Sequence, residues 1–317
     1  MTLPVNEPLI RVTGAVKHYG ELAALCGVDL ELRPGETLGV LGANGAGKTT
    51  LIESIMGARR LDGGGIEVRG LSPVLQRSEC LRHVSLQPQD SSLFKHLTVL
   101  EHVALWASLY PSPHPVDEII AMVGLDDRRR ARVKTLSGGQ RQRLRLALAL
   151  VGGTAVVALD EPTAGLDPLA REQTWDVIRW RAGLGAVLMT TQMMDEAEAL
   201  CDRVVILDAG RVVAEGAVDD LLDRYAGRGS VSFTTRAVVD DAVLQGLPGV
   251  LWFSTRRVGD GASVRLVSAD VARTRAAVRA SRALLAAHVR AAGPSLTDVF
   301  VRLVGREPAA HVPGENS

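Results

Sequence analysis

Short apolar-rich runs at residues 9–12, 27–32 and 37–41 predict strands. The last of them is apolar almost throughout and follows a Pro34-Gly35 turn, so it predicts a buried strand. A glycine-rich loop comes next, and Leu51, Ile52, Ile55 and Met56 then recur at helical spacing. Gly63 to Gly65 mark a turn before a further strand at 66–69. From 97 to 150 the pattern is helical, interrupted by the hinge Pro111-Ser112-Pro113-His114-Pro115. Apolar runs at 155–159, 186–190 and 203–207 predict strands, with helical segments between them, one at 197–204, as far as about residue 222. Strands alternating with helices imply a mainly parallel sheet.

The texture changes after Gly227 to Gly229. Segments 230–235, 250–254 and 263–267 read as strands, and the Ala/Arg-rich stretch 269–292 as one long helix. A short helix follows Pro294, with Leu296, Val299, Phe300, Leu303 and Val304 on one face. The expected organisation is a first domain over 1–224 with a helical part at about 90–150, then a linker at 225–229. A small α+β domain over 230–305 and a disordered tail over 306–317 complete it.

Composition narrows the classes. With 317 residues, 46% of them hydrophobic, the chain can bury a large core. Its 36 basic and 36 acidic residues cancel, so no overall field draws it to nucleic acid. The basic run from Arg128 to Arg132 is short, follows Asp126 and Asp127, and reads as a solvated helix face. The longest weakly charged apolar stretch, 146–159, has 14 residues, where a spanning helix needs about 20. The opening MTLPVNEPLIRV lacks the basic region and apolar core of a signal peptide, which places the chain in the cytoplasm. Cys26, Cys80 and Cys201 are too widely separated for paired zinc spacing and read as thiols in a reducing compartment.

The strongest chemical signal is Gly42-Ala43-Asn44-Gly45-Ala46-Gly47-Lys48-Thr49, followed by Thr50. It is a complete GxxxxGK[ST] loop between a buried strand and an amphipathic helix. Its glycines let backbone N–H groups turn inward around phosphate, and the helix start adds partial positive charge. Lys48 would reach the β and γ phosphates of ATP, and the Thr49 hydroxyl would ligate Mg²⁺. The strand at 155–159 delivers two adjacent carboxylates, Asp160 and Glu161, at its end. In such a site Asp160 holds Mg²⁺ through water while Glu161 polarises the attacking water. Leu136-Ser137-Gly138-Gly139-Gln140 opens a helix with Ser137 as N-cap. Alone this is an ordinary helix start; here it makes a second anion-binding helix terminus on a chain that already has one.

Together these residues resemble the ATP-binding cassette (ABC) ATPases, the nucleotide-binding subunits of membrane transporters, over about residues 9–222. The resemblance implies an α/β P-loop NTPase fold of ABC type: a mainly parallel sheet core, an N-terminal antiparallel β subdomain and a helical signature subdomain. It implies ATP hydrolysis with Mg²⁺ by two copies paired head to tail. Ser137, Gly138, Gly139 and Gln140 of one copy then close over ATP held by the loop of the other. It further implies a separately encoded transmembrane permease, which would hold the subunit on the inner face of the cell membrane. By the same resemblance Tyr19 stacks on adenine, Gln89 senses Mg²⁺ and attacking water, and Asp167 couples the two sites. Residues 93–97 would receive a helix of the membrane partner, and Gln87 is a bystander.

One position departs from the pattern. Family members usually carry His where TTQMMDE places Gln192, and all seven histidines lie outside 115–287, so no neighbour replaces it by slippage. Glutamine offers two donors and one acceptor and does not titrate. It can therefore bond a γ-phosphate oxygen and orient water without moving a proton, as a glutamine does in GTPases. With the rest of the catalytic set intact, active hydrolysis is expected. The alternatives are a slow or binding-only cassette with a structural role, and a cassette protein of ribosomes or DNA with no membrane partner. TTQ and the ending from Ser295 to Leu303 resemble the daunorubicin-resistance branch of bacterial drug-exporter ATPases, which implies export of a drug-like compound.

Overall fold

The computed structural model describes residues 7–87 and 93–305; the expected tail at 306–317 lies outside them. Contacts divide the chain into a first unit ending at Val213 and a second beginning at Ala214.

The first unit opens with a hairpin of β1 (Ile10–Tyr19) and β2 (Leu22–Leu32), registered from Ile10 opposite Leu32 to Tyr19 opposite Leu22. β1 runs well past the apolar stretch at 9–12 because a bulge between Val12 and Ala15, with Gly14 at φ 56°, absorbs the break in the pattern. β3 (Thr37–Leu41) is buried along its whole length and leads to α1 (Lys48–Ile55), which buries Leu51, Ile52 and Ile55. β4 (Gly63–Val68) returns antiparallel to β1, giving a three-stranded sheet of order β2-β1-β4. α2 (Arg77–Cys80) and β5 (Val84–Gln87) precede three helices: α3 (Val99–Ala107), α4 (Val116–Met122) and α5 (Gly138–Leu150).

Strands and helices then alternate through β6 (Val156–Asp160), α6 (Pro168–Ala182), β7 (Ala186–Thr191), α7 (Met194–Leu200) and β8 (Arg203–Asp208). Ala209 and Gly210, at φ 45° and 74°, turn the chain into β9 (Arg211–Ala217), the two-residue turn of an antiparallel hairpin. The main sheet has the order β5-β6-β7-β3-β8-β9 and is parallel from β5 to β8. Asp160 stands opposite Thr190, and Leu41 opposite Thr191. The carboxyl ends of β6, β7 and β3 therefore lie side by side, the edge where open parallel sheets place their ligands. α7 starts and ends earlier than the helix expected at 197–204, because β8 takes up Arg203.

The second unit contains α8 (Val218–Tyr225), β10 (Gly229–Thr235), α9 (Asp241–Gln245), β11 (Val250–Val258) and β12 (Gly261–Ser268). α10 (Val271–Ala280), β13 (Ala287–Ala292) and α11 (Leu296–Val304) complete it. Its sheet is antiparallel, of order β11-β12-β10-β13. The long helix expected over 269–292 is corrected here: α10 stops at Ala280, and the second half forms β13 against β10. Ala and Arg are strong helix formers, but pairing along the open side of β10 and burial of Leu284 outweigh that local preference.

α11 is anchored by Asp298, fully buried and bonded to Arg265 Nε at 2.6 Å, and by the fully buried Phe300. Phe300→Ala is expected to cost about 3–5 kcal/mol. Hydrogen exchange across α11 should read this loss directly.

Candidate functional site

The phosphate-loop residues occupy the turn between β3 and α1. Gly47 has φ 107°, and a Cβ placed there would stand 2.4 Å from the Ala24 carbonyl oxygen. A Cβ on Gly42 would meet the Leu207 carbonyl oxygen at 2.5 Å. Both glycines are thus demanded by backbone passing close by, and a side chain at either would force that backbone to shift. Gly47→Ala, strained by about 1–3 kcal/mol in backbone conformation alone, is expected to weaken ATP binding at least tenfold in a fluorescent-nucleotide titration.

Lys48 is the first residue of α1, and its side chain is buried. Its ammonium donates to Gly42 O at 2.9 Å and Ala43 O at 3.2 Å, and pairs with Glu161 Oε1 at 3.3 Å. Asn44, Gly45 and Thr49 remain exposed on the outer side of the loop. The loop therefore offers backbone donors and a hydroxyl outward, with a cation held at its base.

Asp160 ends β6, and Glu161 follows it in the left-handed region at φ 48°. A glutamate there is strained, and it is fixed by neighbours. Its N–H donates to Thr190 O at 3.1 Å and reaches Thr190 Oγ1 at 3.2 Å, while the Thr190 hydroxyl bonds Asp160 Oδ1. From α5, the buried Gln142 donates to Pro162 O at 2.8 Å and Glu161 O at 3.4 Å. The carboxylate pair is thus held from β7 on one side and from the helix that Ser137 opens on the other.

Gln192 follows the end of β7. It lines a cavity of about 10 Å³ together with Glu161, Thr163, Thr191 and Glu196. That volume is close to the space of one water molecule. Glu196 is buried, and burial drives its carboxyl pKa upward, opposed by hydrogen bonds from Thr191, Thr163 and Trp175. Sequence reasoning missed Gln142, Thr163, Trp175, Thr190 and Glu196, whose partners lie far along the chain.

Ser137 caps α5 through a capping box: its Oγ accepts from Gln140 N at 3.2 Å, and Gln140 Oε1 accepts from Ser137 N at 2.9 Å. Ser137 and Gly138 are exposed. Asp167 caps α6, its Oδ1 accepting from Ala170 N at 2.9 Å, with Pro168 at the first helical position. Tyr19 ends β1, is 41% exposed, and has Lys17 Nζ 5.6 Å from its ring centroid. Lys17 is held by Asp62 at 2.9 Å, and Asp62 has its pKa lowered first by the His18 N–H and then by Lys17.

Gln89 lies outside the described residues. Gln87 is fully buried, and its amide makes no hydrogen bond among the described residues. Among the described residues no group of three or more His, Cys, Asp or Glu gathers around a metal position. The exposed Thr49 hydroxyl and the Asp160 carboxylate are oxygen donors of the kind that fit Mg²⁺, which keeps several waters and takes one or two protein oxygens beside substrate phosphates. Lys48, Asp160, Glu161 and Gln192 gather at one sheet edge, whereas Ser137 and Asp167 cap helices of their own.

A strand–loop–helix phosphate cradle facing paired carboxylates at the end of a parallel strand defines a nucleotide-binding ATPase. The profile of the ABC transporter family matches residues 25–164. The chain is 38% identical to a daunorubicin resistance ATP-binding protein of Streptomyces coeruleorubidus, over 94% of this chain and 96% of that one. It is 33% identical to the Nod factor export ATP-binding protein I of Rhizobium etli, over 92% of each. A solved ATP-binding subunit of an ABC transporter superposes with a TM-score of 0.63 at 29% identity, covering 68% of this chain and 92% of that one. The protein belongs to the ABC transporter ATP-binding family, and its fold is that of an ABC ATPase cassette. Among the described residues no helix is long and apolar enough to cross a membrane.

Proposed function

We propose that this chain is the ATP-hydrolysing subunit of an ABC exporter, working as a head-to-tail pair with a separately encoded membrane permease. The observation that carries the reading is the presence of two anion-ready helix starts on one chain. One begins at Lys48 behind the phosphate loop, and the other at Gly138 behind an exposed, pre-capped Ser137. A single nucleotide needs only the first, so the second serves a nucleotide held by another copy.

ATP binds with its phosphates in the 42–50 loop and its adenine beside Tyr19. Lys48 exchanges its contact with Glu161 for the β and γ phosphates. Glu161 takes a proton from the attacking water, and Gln192 orients that water and a γ-phosphate oxygen. Thr49, Asp160 and Gln89 would hold Mg²⁺, which would supply neutralisation of the phosphate charge. Asp167 carries the state of one site to the other, and hydrolysis reopens the pair.

Phe94 is 53% exposed and packs against the buried His102 and the half-buried Trp106, at centroid distances of 5.5 and 6.1 Å. This aromatic knob supports docking of the permease on the helical part. The names of the relatives, daunorubicin resistance and Nod factor export, support outward transport, and a drug-like hydrophobic compound is the proposed cargo. Copurification of the full chain tests the partner. A polytopic membrane protein that stimulates ATP turnover is the expected result; RNA or DNA in its place overturns the reading.

A further inference from the structure

We infer that Glu196 is a positioning residue that fixes the catalytic candidates Glu161 and Gln192 relative to each other. The inference rests on the proposed hydrolytic role of those two side chains.

Glu196 lies on α7 with 1% of its surface exposed. Its Oε1 accepts from Thr163 Oγ1 at 2.7 Å and from Trp175 Nε1 at 3.2 Å, and it lines the same cavity as Thr191. These three residues come from three different segments. Thr163 lies two residues beyond Glu161, in the loop leaving β6. Thr191 ends β7, one residue before Gln192. Trp175 is on α6, the helix that Asp167 caps.

The bond to Thr163 carries further than its own length. Thr191 Oγ1 accepts from Met193 N at 2.9 Å, so the backbone closes a turn around Gln192. Thr163 Oγ1 lies 3.9 Å from Met193 Sδ, so the loop after Glu161 meets that turn beside Glu196. By holding the Thr163 hydroxyl, Glu196 thus fixes the loop carrying Glu161 against the turn at Gln192. Both candidates, and Glu196 itself, border the same cavity of about 10 Å³.

A buried carboxyl group is costly to retain unless its bonds are needed, and two donors converging on it from separate segments make a junction. The flanking Asp195 is turned outward to Arg171, at 3.1 Å, and does not share this role. Without the junction, β6 and β7 still pair, but the two loops beyond their ends lose their common tie. An error of about 1 Å between base and water costs about 10²-fold in rate. Among the described residues Glu196 itself bonds neither the phosphate loop nor Tyr19, so the effect is expected on kcat more than on ATP affinity.

The test is steady-state ATP hydrolysis by the full chain in four forms: wild type, Glu196→Ala, Glu196→Gln and Thr163→Val. Glu196→Ala should lower kcat about 10- to 100-fold with KM for ATP within about threefold. Glu196→Gln keeps a carbonyl oxygen that accepts from Thr163 and Trp175, and should recover kcat to within about threefold of wild type. Thr163→Val removes the hydroxyl that Glu196 holds from a shape of the same size, and should lower kcat without moving KM. It decides the question even where Glu196→Ala fails to fold. Wild-type kcat in Thr163→Val, or equal loss in Glu196→Gln and Glu196→Ala, overturns the inference while wild-type turnover leaves the hydrolytic reading standing. Absence of turnover in the wild type, alone and with its permease, overturns both.

Discussion

ATP turnover falls about 10³-fold in Glu161→Gln, and a nucleotide-bound pair of chains accumulates. The substitution keeps the side chain's size and its hydrogen-bonding oxygen, but removes the proposed base for the attacking water. It also removes the negative charge that sits 3.3 Å from Lys48 Nζ. In the wild type ATP must draw the lysine away from that carboxylate, and its phosphates must approach a second negative charge. Both costs vanish with the amide, so nucleotide affinity should rise as turnover falls. A coupled ATPase assay and gel filtration in Mg-ATP check the two halves together. Unchanged turnover would remove Glu161 from the role of base.

The second large effect belongs to Gln192→Ala. Removing a pre-oriented donor that acts on developing phosphate charge costs about 10²-fold in kcat. Because glutamine does not titrate, the wild-type rate should carry no limb from this position between pH 6 and 9. Gln192→His restores a donor and an acceptor, and should keep the rate within about tenfold of wild type. It should also bring in a pH dependence centred near about 6.5, the ordinary histidine value. Rates of the three forms across that pH range settle the matter. If alanine costs nothing, Gln192 takes no part; if wild type is inert and histidine restores turnover, the position had decayed.

Much of the site could be read from the chain because its chemistry is local. Gly42 to Thr49, Asp160-Glu161 and Ser137 to Gln140 are each a few consecutive residues at a strand end or helix start, where spacing alone implies geometry. The ties among them could not be read. Gln142 reaches the backbone at Glu161 and Pro162, Thr190 reaches Asp160, and Thr163, Trp175 and Thr191 meet at Glu196. These pairs are brought together by the strand order β6-β7-β3, which no short window encodes. Residues 287–292 failed for a related reason: their composition favours helix, and only the open side of β10 makes a strand of them.

The capping box at Ser137 has a kinetic meaning. Ser137 Oγ and Gln140 Oε1 bond each other's backbone N–H, so this segment is already ordered in the single chain. The Ser137 hydroxyl hydrogen and the Gly138 and Gly139 amides remain to meet an incoming phosphate. Ordering entropy is lost once, as the helix forms, and little of it would be left to oppose the proposed head-to-tail association. That pairing would then be limited by the encounter of two chains, with no slow rearrangement of the receiving loop.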